Sequence, residues 1–271
     1  MKKYFKKLNI FILAILFLLG FSLLYFLYSR ARSQANVYVM VGLVRGQQTS
    51  AGSLSSIPFW LDQAISIGDK ETSPLGGLNA EVYDKISYSW YSSTQMTFLY
   101  LRVSSIRDRS GIYLYKNKPL SVGAAIDLKL PKAQVQGLVI EMAEEKIVPE
   151  YKKITISVFG KGADIWIANN LKIGSTVVDN KGQVLAKVLS VTTSTSTSVG
   201  TLVRDANTNK TILLFDSNER DVEAEVELMA RKIGNDYYFG ENQRIRVGEQ
   251  ISLPFKEIII SAPITSIEKS Q

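Results

Sequence analysis

The chain has 271 residues, 46% of them hydrophobic and 10% aromatic, so one large or two small globular cores are within reach and a disordered chain is excluded. It contains no cysteine and no histidine, which removes disulfides, thiol and imidazole chemistry and most zinc sites together. The formal charge of +7 sits at the start: residues 1–32 carry six Lys/Arg and no acid, leaving 26 basic against 25 acidic residues beyond them, too balanced a remainder for a nucleic-acid partner.

Leu8 to Tyr28 runs 21 residues without a charge, close to the ~20 that an α-helix needs to cross a bilayer. A cleaved signal peptide would carry a shorter apolar core and a small-residue cleavage site, which "YSRARSQA" does not supply, so an uncleaved anchor is expected. Lys2, Lys3, Lys6 and Lys7 precede this stretch and only Arg30 and Arg32 follow it closely, which predicts a cytoplasmic tail (1–7), a transmembrane helix (8–28) and an extracytoplasmic remainder.

From residue 36 the chain repeats itself. At an offset of 106, "WLDQAISIGDKETSPLGG" falls on "WIANNLKIGSTVVDNKG", pairing Trp60 with Trp166, Ile67 with Ile173, Gly68 with Gly174 and Gly76 with Gly182. At an offset of 125, "IYLYKNKPLSVGAAIDLKL" falls on "YYFGENQRIRVGEQISLPF", pairing Val122 with Val247 and Gly123 with Gly248. Two blocks in one order, with 19 additional residues between them in the second copy, predict a tandem duplication: a first domain over 36–142, a charged, proline-containing linker over 143–152 and a second domain over 153–269.

Both copies are rich in short β-branched and aromatic runs punctuated by Gly, Asn and Pro, so the expected fold is mainly β: two small β-barrel-like domains after one membrane helix. "AEVELMA" alternates as a strand with one face on a core does. The W-[LI]-x-x-x-[IL]-x-I-G element predicts a short helix in each copy, its Trp anchoring the core and Gly68 or Gly174 closing its C-terminus. Pro131 and Pro254 point to edge strands after the Val-Gly turns. The additional length of the second copy reads as a hairpin, "VGTLVRD" and "KTILLFD" around the turn "DANTNK".

Candidate chemistry is sparse. Asp205, Asn207, Asn209 and Asp216 fall at calcium-loop spacing, but Lys210 stands where the sharp turn needs Gly, and a polar turn accounts for the segment. The Ser-x-x-Lys of Ser266 and Lys269 lies in the last six residues, and Asp62 and Asp69 meet Ala168 and Ser175 in the second copy. No catalytic, cofactor or metal residues are therefore assigned. The exported tyrosines and Trp60, Trp90 and Trp166 could line a glycan-binding face, but such residues are more often core and interface residues.

"LKIGSTVVDNKGQVLAKVLSV", followed by "YYFGENQRIRVGEQISL", resembles the bacterial single-pass membrane proteins grouped as domain-of-unknown-function family 4330, with Ser175 in place of the usual Asp and Ala186 in place of the usual second Gly. The likeness implies an N-terminal membrane helix and β-rich domains, and carries no activity. The L-x-I-G-x-x-V pattern is also similar, with one residue more between Val177 and Gly182, to lipid-transport barrels of the mammalian-cell-entry type, which form rings around an apolar channel. A weaker likeness is to the rod-shape scaffold protein of the bacterial envelope, without its coiled coil. The expected function is a non-enzymatic, membrane-anchored scaffold or adaptor that binds envelope proteins and is suited to homo-oligomer formation; the alternative is a lipid-transport ring.

Overall fold

The computed structural model describes residues 12–25, 34–44, 55–74, 76–91, 93–108, 110–196, 200–204, 211–215 and 218–269. An N-terminal helix, α1 (12–25), presents every described side chain outward. The expected span extends beyond it at both ends, and among the described residues no helix is long and apolar enough to cross a membrane.

The rest is mainly β. In the first copy β1 (Gln34–Val44), β2 (Ile57–Pro58), α2 (Phe59–Gln63), β3 (Lys70–Thr72), β4 (Leu78–Tyr91), β5 (Thr94–Arg107), β6 (Tyr113–Tyr115), β7 (Lys118–Leu120), β8 (Ala125–Lys129) and β9 (Gln134–Ala143) follow in turn. In the second come β10 (Glu150–Asp164), α3 (Ile165–Asn170), β11 (Thr176–Val178), β12 (Val184–Thr195), the hairpin β13 (Gly200–Arg204) and β14 (Thr211–Phe215), β15 (Glu219–Ile233), β16 (Asp236–Phe239), β17 (Gln243–Arg244), β18 (Gln250–Pro254) and β19 (Ile259–Lys269). The main sheets run β3-β4-β5-β1-β9-β8 and β11-β12-β15-β10-β19-β18, one topology written twice. Each is an open, curled half-barrel and not a closed barrel. The extra length of the second copy is a two-stranded hairpin, with Arg204 opposite Thr211, so the expected turn and the calcium-spaced residues Asp205, Asn207, Asn209 and Asp216 lie outside the described residues. The expected edge prolines fit this topology, since β8 and β18 are edges, Pro254 closes β18 and Pro131 follows β8.

A second symmetry operates inside each copy. Reversing the first sheet path exchanges β1 with β5, β3 with β8 and β4 with β9, and the same turn precedes β3 and β8. Its four examples are Ser66–Asp69, Ser121–Ala124, Lys172–Ser175 and Arg246–Glu249, each closed by a hydrogen bond of 3.0–3.1 Å from the fourth N–H to the first carbonyl. The third residue is Gly68, Gly123, Gly174 or Gly248 with φ of 85–92°, the backbone that a type II turn imposes there and that only glycine takes without strain. Each glycine N–H then donates to a strand carbonyl (Val82, Val139, Val188 or Ile264) at 2.8–2.9 Å, and that same residue's N–H returns to the carbonyl after the glycine. Gly68 and Gly174 therefore do not cap the helices as expected. The C-caps are Ala64 and Leu171, both with negative φ.

The copies pack together. Inward-facing Val37, Val39, Val41, Leu99, Leu101 and Val103 form the core of the first half-barrel. The opposite face of that sheet, carrying Tyr88, Met96 and Phe98, joins the core of the second copy, while Met40, Ile86, Tyr100 and the linker's Ile147 make a further buried cluster. In the second copy the equivalents of Met40, Tyr88, Met96, Phe98 and Tyr100 are Ser157, Ser194, Asp221, Glu223 and Glu225, so its outer face meets water. One sheet is buried on both faces and the other on one. The linker, expected as a solvated joint, is tied down by Ile147, which is buried and accepts a hydrogen bond from Tyr83 Oη at 3.1 Å.

Candidate binding surface

Three buried polar clusters are the first places to look for chemistry, and all three are accounted for by the fold. Asp62 on α2 is buried. It accepts from Thr97 Oγ1 at 2.8 Å and Ser87 Oγ at 3.3 Å, and pairs with Lys85 Nζ at 3.4 Å. The same ammonium donates to the carbonyls of Asp62 and Ile65, closing the C-terminal end of α2. At the equivalent places the second copy has Ala168, Val222, Thr193 and Val191, so this cluster is a local way of ending a helix.

Glu71 of β3 is buried too, and reaches across to the opposite sheet edge, β8. It accepts from Tyr115 Oη, Lys116 Nζ and the Lys129 N–H, the last at 3.2 Å, while Lys116 Nζ also donates to the Asp127 carbonyl at 2.8 Å. Side chains thus bridge the seam that backbone pairing leaves open. In the second copy Val177, Gly240, Glu241 and Pro254 replace Glu71, Tyr115, Lys116 and Lys129, so acceptor and N–H donor are lost together.

Glu241, released from that seam, enters the interface between the copies. It accepts from Arg231 Nη1 at 2.6 Å, Tyr100 Oη at 3.0 Å and Tyr151 Oη, and Arg231 Nη2 donates to Glu141 at 2.5 Å. Burial works against the Arg231 charge, but Glu241, Tyr100 and Glu141 outweigh it and raise its pKa. Burial likewise holds the Tyr100 and Tyr151 phenols well above their ordinary value. Around this pair Tyr88 Oη donates to the Gly240 carbonyl at 3.3 Å, Asn180 brackets Ser87 through its N–H and side-chain oxygen at 2.8 and 3.0 Å, and Lys181 pairs with Asp84 at 2.6 Å. Among the described residues there is no group of three or more acidic side chains placed to hold a metal. Ser266 of β19 is exposed and bonded to Ser157 Oγ at 2.9 Å, and the Lys269 side chain lies outside the described residues.

What these networks leave unexplained is on the surface. The apolar residue before each turn glycine points outward: Ile67, Val122, Ile173 and Val247 are all more than half exposed. Trp60 and Trp166, expected as core anchors, are 69% and 54% exposed, because the inward positions beside them are filled by Leu61, Ala64 and Ile65 in one copy and by Ile167, Ala168 and Leu171 in the other. Gly76 and Gly182, with φ near 80°, close the β3–β4 and β11–β12 hairpins.

Among the described residues of the β-rich body, five aromatic side chains are exposed: Phe59, Trp60, Tyr91, Phe159 and Trp166. They gather at one corner. Thr94 pairs with Pro58 on one side and Tyr91 on the other, and Phe59 N–H donates to the Ser93 carbonyl, which brings the start of α2 beside the end of β4. Trp90, Tyr91 and Trp166 line an open cleft of about 880 Å³ with Ser89, Asp164 and the 255–259 loop. A neighbouring cleft of about 680 Å³, carrying Phe159, shares Asp164, Ile167 and Ile259 with it. Asp164 Oδ1 caps α3 through the Trp166 N–H at 2.7 Å, holding the indole at the cleft mouth. Exposed Lys256 and Glu257 stand on its other wall and make no ion pair among the described residues.

Comparison with protein-family models, curated proteins and solved structures returned no match. The class that the fold defines is a tandem pair of curled β half-barrels sharing an interface.

Proposed function

We propose that this protein is a membrane-anchored, extracytoplasmic, non-enzymatic scaffold or adaptor, which holds an aromatic binding corner away from the bilayer. The observation that carries the reading is the gathering of Phe59, Trp60, Tyr91, Phe159 and Trp166 in the open at one corner, where the fold does not need them. Large exposed apolar patches mark interaction surfaces, and tryptophan and tyrosine dominate the energetics of such surfaces. The corner lies at the end of β1 remote from Gln34, about 33 Å along the strand from the anchored side. A helix that is apolar all round, as α1 is, needs an apolar environment on every side. The six sequence steps from Tyr28 to Gln34 would keep the first copy within about 20 Å of the bilayer.

Because the chain has no cysteine, topology is testable with single cysteines: a membrane-impermeant maleimide applied to intact cells should label Ser110→Cys and not Lys3→Cys. Equal labelling of the two would overturn the orientation. A photo-crosslinking residue at Tyr91 should give discrete adducts in cells that the same residue at exposed Val148 does not, and no difference between them would remove the binding role.

A further inference from the structure

We infer that the aromatic corner binds a polysaccharide chain, its sugar rings stacking on Trp166 and Trp60 and its hydroxyls meeting the polar wall of the cleft. This rests on the extracytoplasmic binding role proposed above and names the ligand class. Of the three tryptophans of the chain, Trp90 at the end of β4 and Trp166 on α3 line the main cleft, and Trp60 is on α2, whose start is held beside Tyr91 through Ser93 and Thr94. Trp90 is partly buried against the core and stands nearly edge-on to Tyr91, at 84°. Trp60 and Trp166 are engaged by no other ring and by no cation among the described residues, and each is more than half exposed. The duplication puts an exposed indole at the first turn of the short helix in both copies, although neither core uses it.

The surroundings select among ligands. The charged groups of the two clefts are Asp164, Glu257, Lys161 and Lys256, two cations against two anions, which offers a polyanion no net attraction. A purely apolar guest would sit beside two exposed charged groups that make no ion pair among the described residues, Lys256 and Glu257, and beside Ser89 and Asp164. A pyranose ring suits both features at once, since it carries C–H bonds on its face and hydroxyls around its rim. The two clefts adjoin through Asp164, Ile167 and Ile259 and are open, which accommodates a chain running along the surface.

The test uses the full chain in lipid nanodiscs, free of glycoside detergents that would compete. Tryptophan fluorescence reports on this corner alone, because no tryptophan lies elsewhere. Three probes are titrated: hexamers of β-1,4-linked glucose, of β-1,4-linked N-acetylglucosamine and of α-1,4-linked glucose. A saturable change with at least one is expected. Trp166→Ala and Trp60→Ala should each weaken that binding roughly tenfold, the loss of one stacked ring, while Val122→Ala at a remote exposed tip should not. No change with any hexamer up to about 10 mM, above the millimolar dissociation constant of even a weak complex, would overturn the inference. So would binding that both tryptophan variants leave intact. If the hexamers fail while Tyr91 still crosslinks selectively in cells, the glycan inference falls and the scaffold role stands. If both fail, both fall.

Discussion

Replacing Arg231 by methionine tests whether the two copies are joined through a desolvated ion pair. The Arg231 side chain is 3% exposed, that of Glu241 2% and that of Glu141 31%. Methionine would fill the aliphatic part of the site beside Met40, but Glu241 would keep only the hydroxyls of Tyr100 and Tyr151. Removing one member of a buried pair costs about 3–5 kcal/mol, much of it from the charge left behind. At about 2–4 °C per kcal/mol for a body of this size, Arg231→Met should lower the melting midpoint by roughly 6–20 °C. Adding Glu241→Leu should recover a good part of the loss, since the orphaned carboxylate is then gone. Glu141→Gln, at the wetter end, should cost about 1 kcal/mol or less. Thermal and denaturant unfolding of the full chain in nanodiscs, followed by circular dichroism, measures all four proteins. A single Arg231→Met variant within about 0.5 kcal/mol of the parent would refute the reasoning, because an ion pair of that worth is a solvated one.

Three further outcomes are expected. Gly240→Ala should cost about 2–4 kcal/mol, since a Cβ there runs into the Tyr88 ring and hydroxyl at a φ of 54°, whereas Gly248→Ala, with nothing within contact, should lose only about 1 kcal/mol of backbone strain; equal losses in denaturant titrations would contradict the packing of the 239–241 turn. Burial raises the pKa of Tyr83 to about 12 and pushes those of Tyr88, Tyr100, Tyr115 and Tyr151 up as well, so the unfolded chain releases phenolic protons from about pH 10 while the fold retains them. Stability should hold below about pH 10 and fall as pH rises through the raised values, by about 1.4 kcal/mol per pH unit for fully buried Tyr88 alone; a flat unfolding midpoint to about pH 11 would sink this. Trp60→Ala and Trp166→Ala should each change stability by no more than about 0.5 kcal/mol in the same unfolding assay, where a core tryptophan would cost about 3–5.

The half-domain symmetry was also open to reading from the chain, in the four short strings S-I-G-D, S-V-G-A, K-I-G-S and R-V-G-E. Aligning the copies with each other conceals it, because each such string is matched only to its partner in the other copy. Packing between the copies left a signal as well. "MTFLYLRV" in β5 is a nearly unbroken apolar run, whereas "VEAEVELMA" in β15 alternates, and an unbroken run belongs to a strand covered on both faces. The tryptophans left no comparable signal. Hydrophobic periodicity says that an aromatic side chain sits on a helix, but on a helix of five or six residues it does not say which flank the sheet will cover.

The sequence by itself determined that there are two copies, that each is β-rich with one short helix, and where the second copy inserts a hairpin. Those features are local: glycine at positive φ, β-branched runs and constant offsets act within a few residues of one another. Only the tertiary structure decided that the half-barrels stay open, that Glu71 bridges the seam of the first, that Glu241 serves the interface, and that Trp60 and Trp166 face outward. Each of these depends on which surfaces meet after folding: a strand's pattern shows how many of its faces are covered, but neither a five-residue helix nor a single glutamate shows which neighbour will meet it.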